Sequence, residues 1–177
     1  MINVAVFCSS SNLIPEKYKE QAKDLGAKLA KEDIRLIYGA GKVGLMGIVG
    51  EEFTKAGKPK TGIIPEILKS VEVASDNDTE QIITQTMQER KHLLIEKSDV
   101  FIILPGGIGT LDEFFEVLTM RQIGLLGNKK IIIANWFGFF DNMINQLELM
   151  SEEKFTKFEK SWFTILSDND EITNTII

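Results

Sequence analysis

Short apolar runs alternate along this chain with longer stretches whose apolar residues recur every three or four positions. The runs at 2–8, 34–38, 60–64, 81–84, 99–104 and 130–134 read as buried strands, with a last one at 162–166. Between them the spacing predicts helices over 16–31, 44–56, 86–97, 109–123 and 139–149. In the first, Tyr18, Ala22, Leu25, Leu29 and Ala30 fall on one face with lysines and acids opposite, the pattern of a surface helix laid on a sheet. Strand and helix in regular alternation predict an α/β fold: a Rossmann-like, doubly wound parallel sheet in three layers, αβα. No repeat, low-complexity tract or linker breaks the series, so residues 1–177 read as a single domain. From 151 onward, Phe155, Phe158, Trp162 and Phe163 among charges suggest a final helix and strand.

In open α/β sheets the loops that follow the strands' C-terminal ends lie on one edge, where ligands bind. Three loops expected there are rich in small or polar residues: Ser9-Ser10-Ser11-Asn12, Gly39-Ala40-Gly41-Lys42-Val43-Gly44 and Pro105-Gly106-Gly107-Ile108-Gly109-Thr110. In the last, Gly106, Gly107 and Gly109 permit positive φ and carry no side chain, so successive N–H groups can approach an anion. Thr110 opens a helix whose dipole favours a phosphate. A tight strand-to-helix turn without a ligand is the alternative, and glycine alone does not decide between them.

The neighbouring charges do more. Asp112 and Glu113 stand in the first turn of that helix, where the dipole stabilises negative charge and a capping role is the plain alternative. With Leu111, Phe114, Phe115 and Leu118 as the buried stripe, Glu113 would look back toward the glycine turn. Arg90 and Lys91, in Met87-Gln88-Glu89-Arg90-Lys91-His92, put two cations at a helix start, which the dipole opposes and an anionic partner explains. Pairing with Glu89 and solvent is the other reading. His92 is the sole histidine, which leaves little support for a Ser-His-Asp or histidine-metal site and favours a structural or surface histidine. Gly39, Gly41 and Gly44 have the spacing of a dinucleotide fingerprint, but the following strand offers no acid for a ribose 2′-OH and this is the second βα turn, which disfavours NAD.

Composition narrows the class. A net charge of −6 argues against a nucleic-acid surface, so attraction for an anion must be local. No apolar stretch is long enough to span a membrane and the N-terminus lacks a basic leader. One cysteine, Cys8, forms no intrachain disulfide and no thiolate metal site, and a reducing cytoplasm fits.

Taken in order, Tyr38-Gly39-Ala40-Gly41 with Gly44-Leu45-Met46-Gly47, Gly62-Ile63-Ile64-Pro65, Met87-Gln88-Glu89-Arg90-Lys91 and PGGIGTLDE at 105–113 resemble the LONELY GUY (LOG) family, whose hallmark is PGGxGTxxE preceded by an ERK-type motif. The resemblance covers residues 2 to about 150. It implies a Rossmann-like homodimer, without metal or cofactor, that hydrolyses the N-glycosidic bond of a nucleoside 5′-monophosphate, a cytokinin riboside 5′-monophosphate or AMP, to free base and ribose 5-phosphate. Carried over by position, Arg90 and Glu113 would be the catalytic pair, Gly106, Gly107, Gly109 and Thr110 would hold the phosphate, and Glu72, Lys91 and Thr119 would line the substrate pocket. Family members have long been labelled lysine decarboxylases, yet nothing here resembles a pyridoxal-phosphate lysine motif. This chain departs from the family at Ser9 and Ala40, each in place of a common glycine, and at Ser75, Gln88 and Met120, where His, His and Trp are frequent; these changes bear on base preference. The rival class is a non-catalytic nucleotide or molybdenum-cofactor carrier, because such carriers share the fold and the glycine turns.

Overall fold

The computed structural model describes residues 1–68 and 77–177. Among them a seven-stranded sheet forms, all neighbouring pairs parallel, from β1 (Ile2–Phe7), β2 (Ile34–Tyr38), β3 (Lys60–Pro65), β4 (Glu80–Thr84), β5 (Val100–Ile103), β6 (Lys130–Ala134) and β7 (Thr164–Leu166). The helices are α1 (Glu16–Leu29), α2 (Gly44–Lys55), α3 (Met87–Glu96), α4 (Ile108–Gln122), α5 (Asp141–Glu152) and α6 (Asn169–Ile176). Strand order is β4-β3-β2-β1-β5-β6-β7, so the chain winds outward from β1 in one direction and then returns past it in the other. The switch point lies between β1 and β5, where open α/β sheets form their ligand crevice.

The strands β1, β2, β3, β5 and β6 are largely buried on both faces, which is why they read as apolar runs, whereas the edge strands β4 and β7 are mostly exposed. Val4 and Val6 of β1, with Val100 and Ile102 of β5, pack under α1, α2 and α6, against Leu25, Leu29, Leu45, Val49, Phe53, Ile172 and Ile176. Ala5, Phe7, Phe101 and Ile103 point the other way, to Leu94 and Ile95 of α3, Phe114, Val117 and Leu118 of α4 and Leu147 of α5. These two cores make the expected three layers.

The tail differs from the sequence reading. The sequence suggests a final helix and strand from 151 onward; α5 extends to Glu152, and the tail then forms the strand β7 first and the helix α6 after it. Asp168 starts α6, its carboxylate accepting from the N–H groups of Asp170 and Glu171, and Asn169 anchors it. The Asn169 side chain accepts from Trp136 Nε1 at 3.0 Å and donates to Gln21 and Asp24 of α1.

Candidate active site

At the switch point the loops after β1 and β5 are tied together: Ser9 N–H donates to the Pro105 carbonyl at 3.3 Å. The loop after β1 also grips the start of α2. Ser9 carbonyl accepts from the N–H groups of Leu45 (2.9 Å) and Met46 (3.3 Å), and Asn12 Oδ1 accepts from Gly44 N–H at 2.9 Å. The amides that a dinucleotide pyrophosphate would need are therefore consumed by the protein, which removes the NAD reading of Gly39, Gly41 and Gly44. Gly44 sits at φ +65°, where a Cβ would lie 2.5 Å from the Ser9 carbonyl oxygen, so its glycine serves this clamp.

The start of α4 is the opposite case. Gly107 occupies the N-cap position without any side-chain cap, and the N–H groups of Ile108, Gly109 and Thr110 have no protein acceptor among the described residues. Gly107, Ile108 and Gly109 are exposed, and a Cβ at Gly107 or Gly109 would meet nothing within 4 Å. An uncapped helix terminus with open space before it has the geometry and dipole to receive an anion. The glycines work differently from the sequence expectation: none of Gly106, Gly107 and Gly109 has positive φ. Gly106 is small because buried Thr110 packs on it, with Thr110 Cβ 2.6 Å from where a Cβ would stand. Absent side chains, and not left-handed backbone, open the turn.

Glu113 lies one turn further along α4. Its carboxylate stands 3.4 Å from the Arg90 guanidinium, with the two side chains only 8% (Arg90) and 11% (Glu113) exposed. Arg90 comes from the first turn of α3, a helix started by a capping box: Glu89 N–H donates to Thr86 Oγ1 and Gln85 N–H to Glu89 Oε2. Glu89 is thus spent on the cap and does not pair with Arg90 or Lys91. Arg90 is fixed by two further contacts. Its Nε donates to the Ile63 carbonyl at 3.2 Å, and its outer nitrogen lies directly against Gly39. Lys91 turns to the same helix as Glu113, reaching Glu116 at 2.7 Å and Asp112 at 3.0 Å. The hydrogen bond to Glu116, reinforced by that to Asp112, raises the Lys91 pKa above the ordinary lysine value. His92 is 75% exposed on the surface.

The buried stripe of α4 is Thr110, Phe114, Val117 and Leu118, and Phe115 is exposed instead of buried. Seating Thr110 against Gly106 turns the helix and directs Glu113 at Arg90. Thr119 stands exposed nine residues beyond Thr110, roughly 13 Å along the axis. It does not join the Arg90–Glu113 pair within this chain. Glu72 and Ser75 lie outside the described residues. Cys8 is the neighbour that the sequence did not single out. It is fully enclosed, and burial, reinforced by the negative Glu113, pushes its thiol pKa far up, so it stays neutral beside the pair.

Fold and site define an open α/β protein with an uncapped, glycine-lined helix start beside a largely buried Arg–Glu pair. The sequence model described as "Possible lysine decarboxylase" matches residues 46–176. Cytokinin riboside 5′-monophosphate phosphoribohydrolase LOG3 of Arabidopsis thaliana is 36% identical over 152 residues, 86% of this chain and 70% of that one. A probable enzyme of the same name, LOG4 of Oryza sativa subsp. japonica, is 32% identical over 166 residues, 94% of this chain and 72% of its own. The chain belongs to this family, the lysine-decarboxylase-like LONELY GUY proteins. Among solved structures, the molybdenum cofactor carrier protein of Chlamydomonas reinhardtii superposes with a TM-score of 0.75 at 16% identity, covering 99% of this chain and 95% of the other. The molybdenum cofactor binding protein of Rippkaea orientalis gives 0.70 at 23%, covering 99% and 94%. At such identities the likeness is one of fold.

Proposed function

We propose that this enzyme hydrolyses the N-glycosidic bond of nucleoside 5′-monophosphates, cytokinin riboside 5′-monophosphate or AMP, to free base and ribose 5-phosphate. The observation that carries the reading is the Arg90–Glu113 pair, 3.4 Å apart, one helical turn from the open amides of α4. A 5′-phosphate seated on Gly106, Gly107, Gly109 and Thr110 brings the ribose over Glu113. Cleavage of the C1′–N bond builds positive charge on the sugar, and a fixed carboxylate stabilises that charge. Glu113 also orients or deprotonates the water whose oxygen bonds to C1′, while the bond pair leaves with the base and is protonated there. Arg90 holds ribose or phosphate oxygens and keeps Glu113 in place. Because its guanidinium is itself held by Ile63 and Gly39, no rearrangement is needed to use it. Lys91, held by Glu116 and Asp112, stands at the rim, and with Glu72 and Thr119 completes the substrate pocket.

In this reading two chains associate through the α3 and α4 faces, where Ile108, Phe115 and Ile123 are 87%, 40% and 60% exposed. That arrangement gives Thr119 and Met120 a place beside a site, and a 19.9 kDa chain should elute and scatter light as a homodimer. The reducing cytoplasm suits the unpaired Cys8.

Glu113→Gln is the direct test. Incubation with AMP, with adenine followed by chromatography, should show loss of base release while AMP binding persists. Normal turnover by that variant would remove Glu113 from the mechanism, and AMP binding without adenine release by the unaltered chain would turn the reading into that of a carrier.

A further inference from the structure

Three ionisable side chains lie buried together on the α1–α2 side of the sheet, away from α3, and no step of the hydrolysis uses them. Lys60 Nζ stands 3.2 Å from Asp78, the two side chains being 4% and 1% exposed. The Tyr38 hydroxyl donates to the same Asp78 oxygen at 2.5 Å and lies 3.5 Å from Lys60 Nζ. A buried ion pair stabilises a fold no better than well-packed apolar residues of similar size. An O–H···O bond of this length to a carboxylate is strong and directional, so what the cluster supplies is fixed geometry.

The geometry is fixed at one rung of the sheet. Tyr38 is the last residue of β2, and its pairing with Gly62 is the last between β2 and β3. Asp78 comes from the segment before β4, on the far side of β3, and reaches Tyr38 by crossing Gly62, where a Cβ would collide with Asp78 Oδ2. Lys60 stands two residues before Gly62 on the same face of β3. One residue further along each strand lies a grip on Arg90. Gly39 follows Tyr38 and abuts the outer nitrogen of Arg90, and Ile63 follows Gly62 and accepts from Arg90 Nε at 3.2 Å. The Ile63 carbonyl takes this role because of where β2 stops. Leu36 N–H donates to the Pro59 carbonyl, so the alternate carbonyls of Pro59, Thr61 and Ile63 face β2 in this parallel ladder. By Ile63 the pairing with β2 has ended, and Arg90 Nε occupies the position of the next strand amide.

We infer that Tyr38 is a positioning residue for the hydrolysis: its hydroxyl, stapled by Asp78 and Lys60, fixes the last rung of β2 on β3 and so sets the two contacts that hold Arg90 against Glu113. The inference rests on the catalytic reading of the Arg90–Glu113 pair. The cluster acts from the opposite face of the sheet, through the backbone of Gly39 and Ile63, and touches neither phosphate nor sugar.

Tyr38→Phe is the test, since it removes the hydroxyl and keeps the ring in the core. Two readouts are taken on the full chain: adenine release from AMP, and the Arg90 Nε–H resonance in proton–nitrogen correlation spectra. The chain has three arginines, and the Arg90 signal is the one absent from Arg90→Lys. In Tyr38→Phe kcat should fall about tenfold as the guanidinium drifts, while KM for AMP stays within about threefold because the α4 turn is untouched. The Nε–H signal should shift and exchange with water at least about tenfold faster as its bond to the Ile63 carbonyl loosens. A folded Tyr38→Phe with an unmoved resonance would overturn the inference, whatever its rate. A moved resonance with the parent's kcat would keep the anchor and count instead against the part of Arg90 in catalysis. Asp78→Asn retains an oxygen to accept from the hydroxyl and should move the resonance less than Asp78→Ala does; equal displacement by the two would overturn the part given to Asp78.

Discussion

Gly39 carries no chemistry, and its replacement by alanine offers a sharp test of how Arg90 is held. Its φ lies outside the left-handed region, so alanine meets no backbone penalty and the effect comes from contact alone. A Cβ built there falls over 1 Å inside the 3.4 Å of ordinary contact with the outer nitrogen of Arg90, and 3.2 Å from Met46 Cε and Sδ. The guanidinium, being the far end of a side chain, must give way. Its bonds to the Ile63 carbonyl at 3.2 Å and to Glu113 at 3.4 Å are already near the limit of useful length, so a shift of about 1 Å breaks one or both. Misplacement on this scale costs on the order of 10²-fold in rate, about 2.7 kcal/mol of transition-state stabilisation. Overpacking at a side-chain end costs stability by only about 1 kcal/mol. Gly39→Ala should therefore melt within a few degrees of the parent yet release adenine from AMP roughly a hundredfold more slowly. A folded variant with the parent's kcat/KM would show that the Gly39 contact does not set the position of Arg90.

Gly107→Ala and Gly109→Ala probe the anion turn in the opposite sense: with nothing within 4 Å of either Cβ, melting temperatures should hold or rise, while KM for AMP climbs about tenfold or more as the methyl meets the phosphate. Cys8 should resist a thiol reagent in the native state at about pH 8.5, where an ordinary cysteine is half ionised, and react at once in denaturant. Since the native thiol keeps a proton that the unfolded chain releases, stability should decline as pH rises through about 8.5, and rapid native labelling there would contradict the burial. Asn169→Ala leaves the buried indole N–H of Trp136 without its acceptor and should cost about 1–3 kcal/mol by denaturant melting, with adenine release by the folded fraction unchanged.

The inner strands were legible because burial on both faces makes them apolar runs, and β1 to β6 fall within two residues of the expected limits. The tail was harder. Strand β7 has only three residues, two of them exposed, so its apolar content resembles that of the aromatic loop before it. The signal for α6 was present, in an aspartate followed by acids and by Ile172 and Ile176 one turn apart, but residues 168–177 were folded into a single reading of the tail. In the site, the glycine turn, Arg90 and Glu113 could be found because each is a motif local in sequence. The contact of Gly39 with Arg90, the clamp of Ser9 and Asn12 on α2, and the pairing of Lys60 with Asp78 join residues that only the sheet brings together. The stripe expected for α4 from Leu111, Phe114, Phe115 and Leu118 shifts to Thr110, Phe114, Val117 and Leu118, because Thr110 seats on Gly106, a contact invisible in a periodicity.

Ala40, two residues beyond the end of β2, packs against Gly62 within β3. Ala40 holds φ +64°, and a Cβ at position 62 would come 2.6 Å from its methyl and collide with Asp78. For the evolution of the fold, positions 40, 62 and 78 therefore behave as a single locus. A side chain at 62 becomes admissible only after the methyl at 40 has yielded and the carboxylate at 78 has swung aside, so a mutational path that begins at Gly62 is closed while one that begins at Ala40 is open.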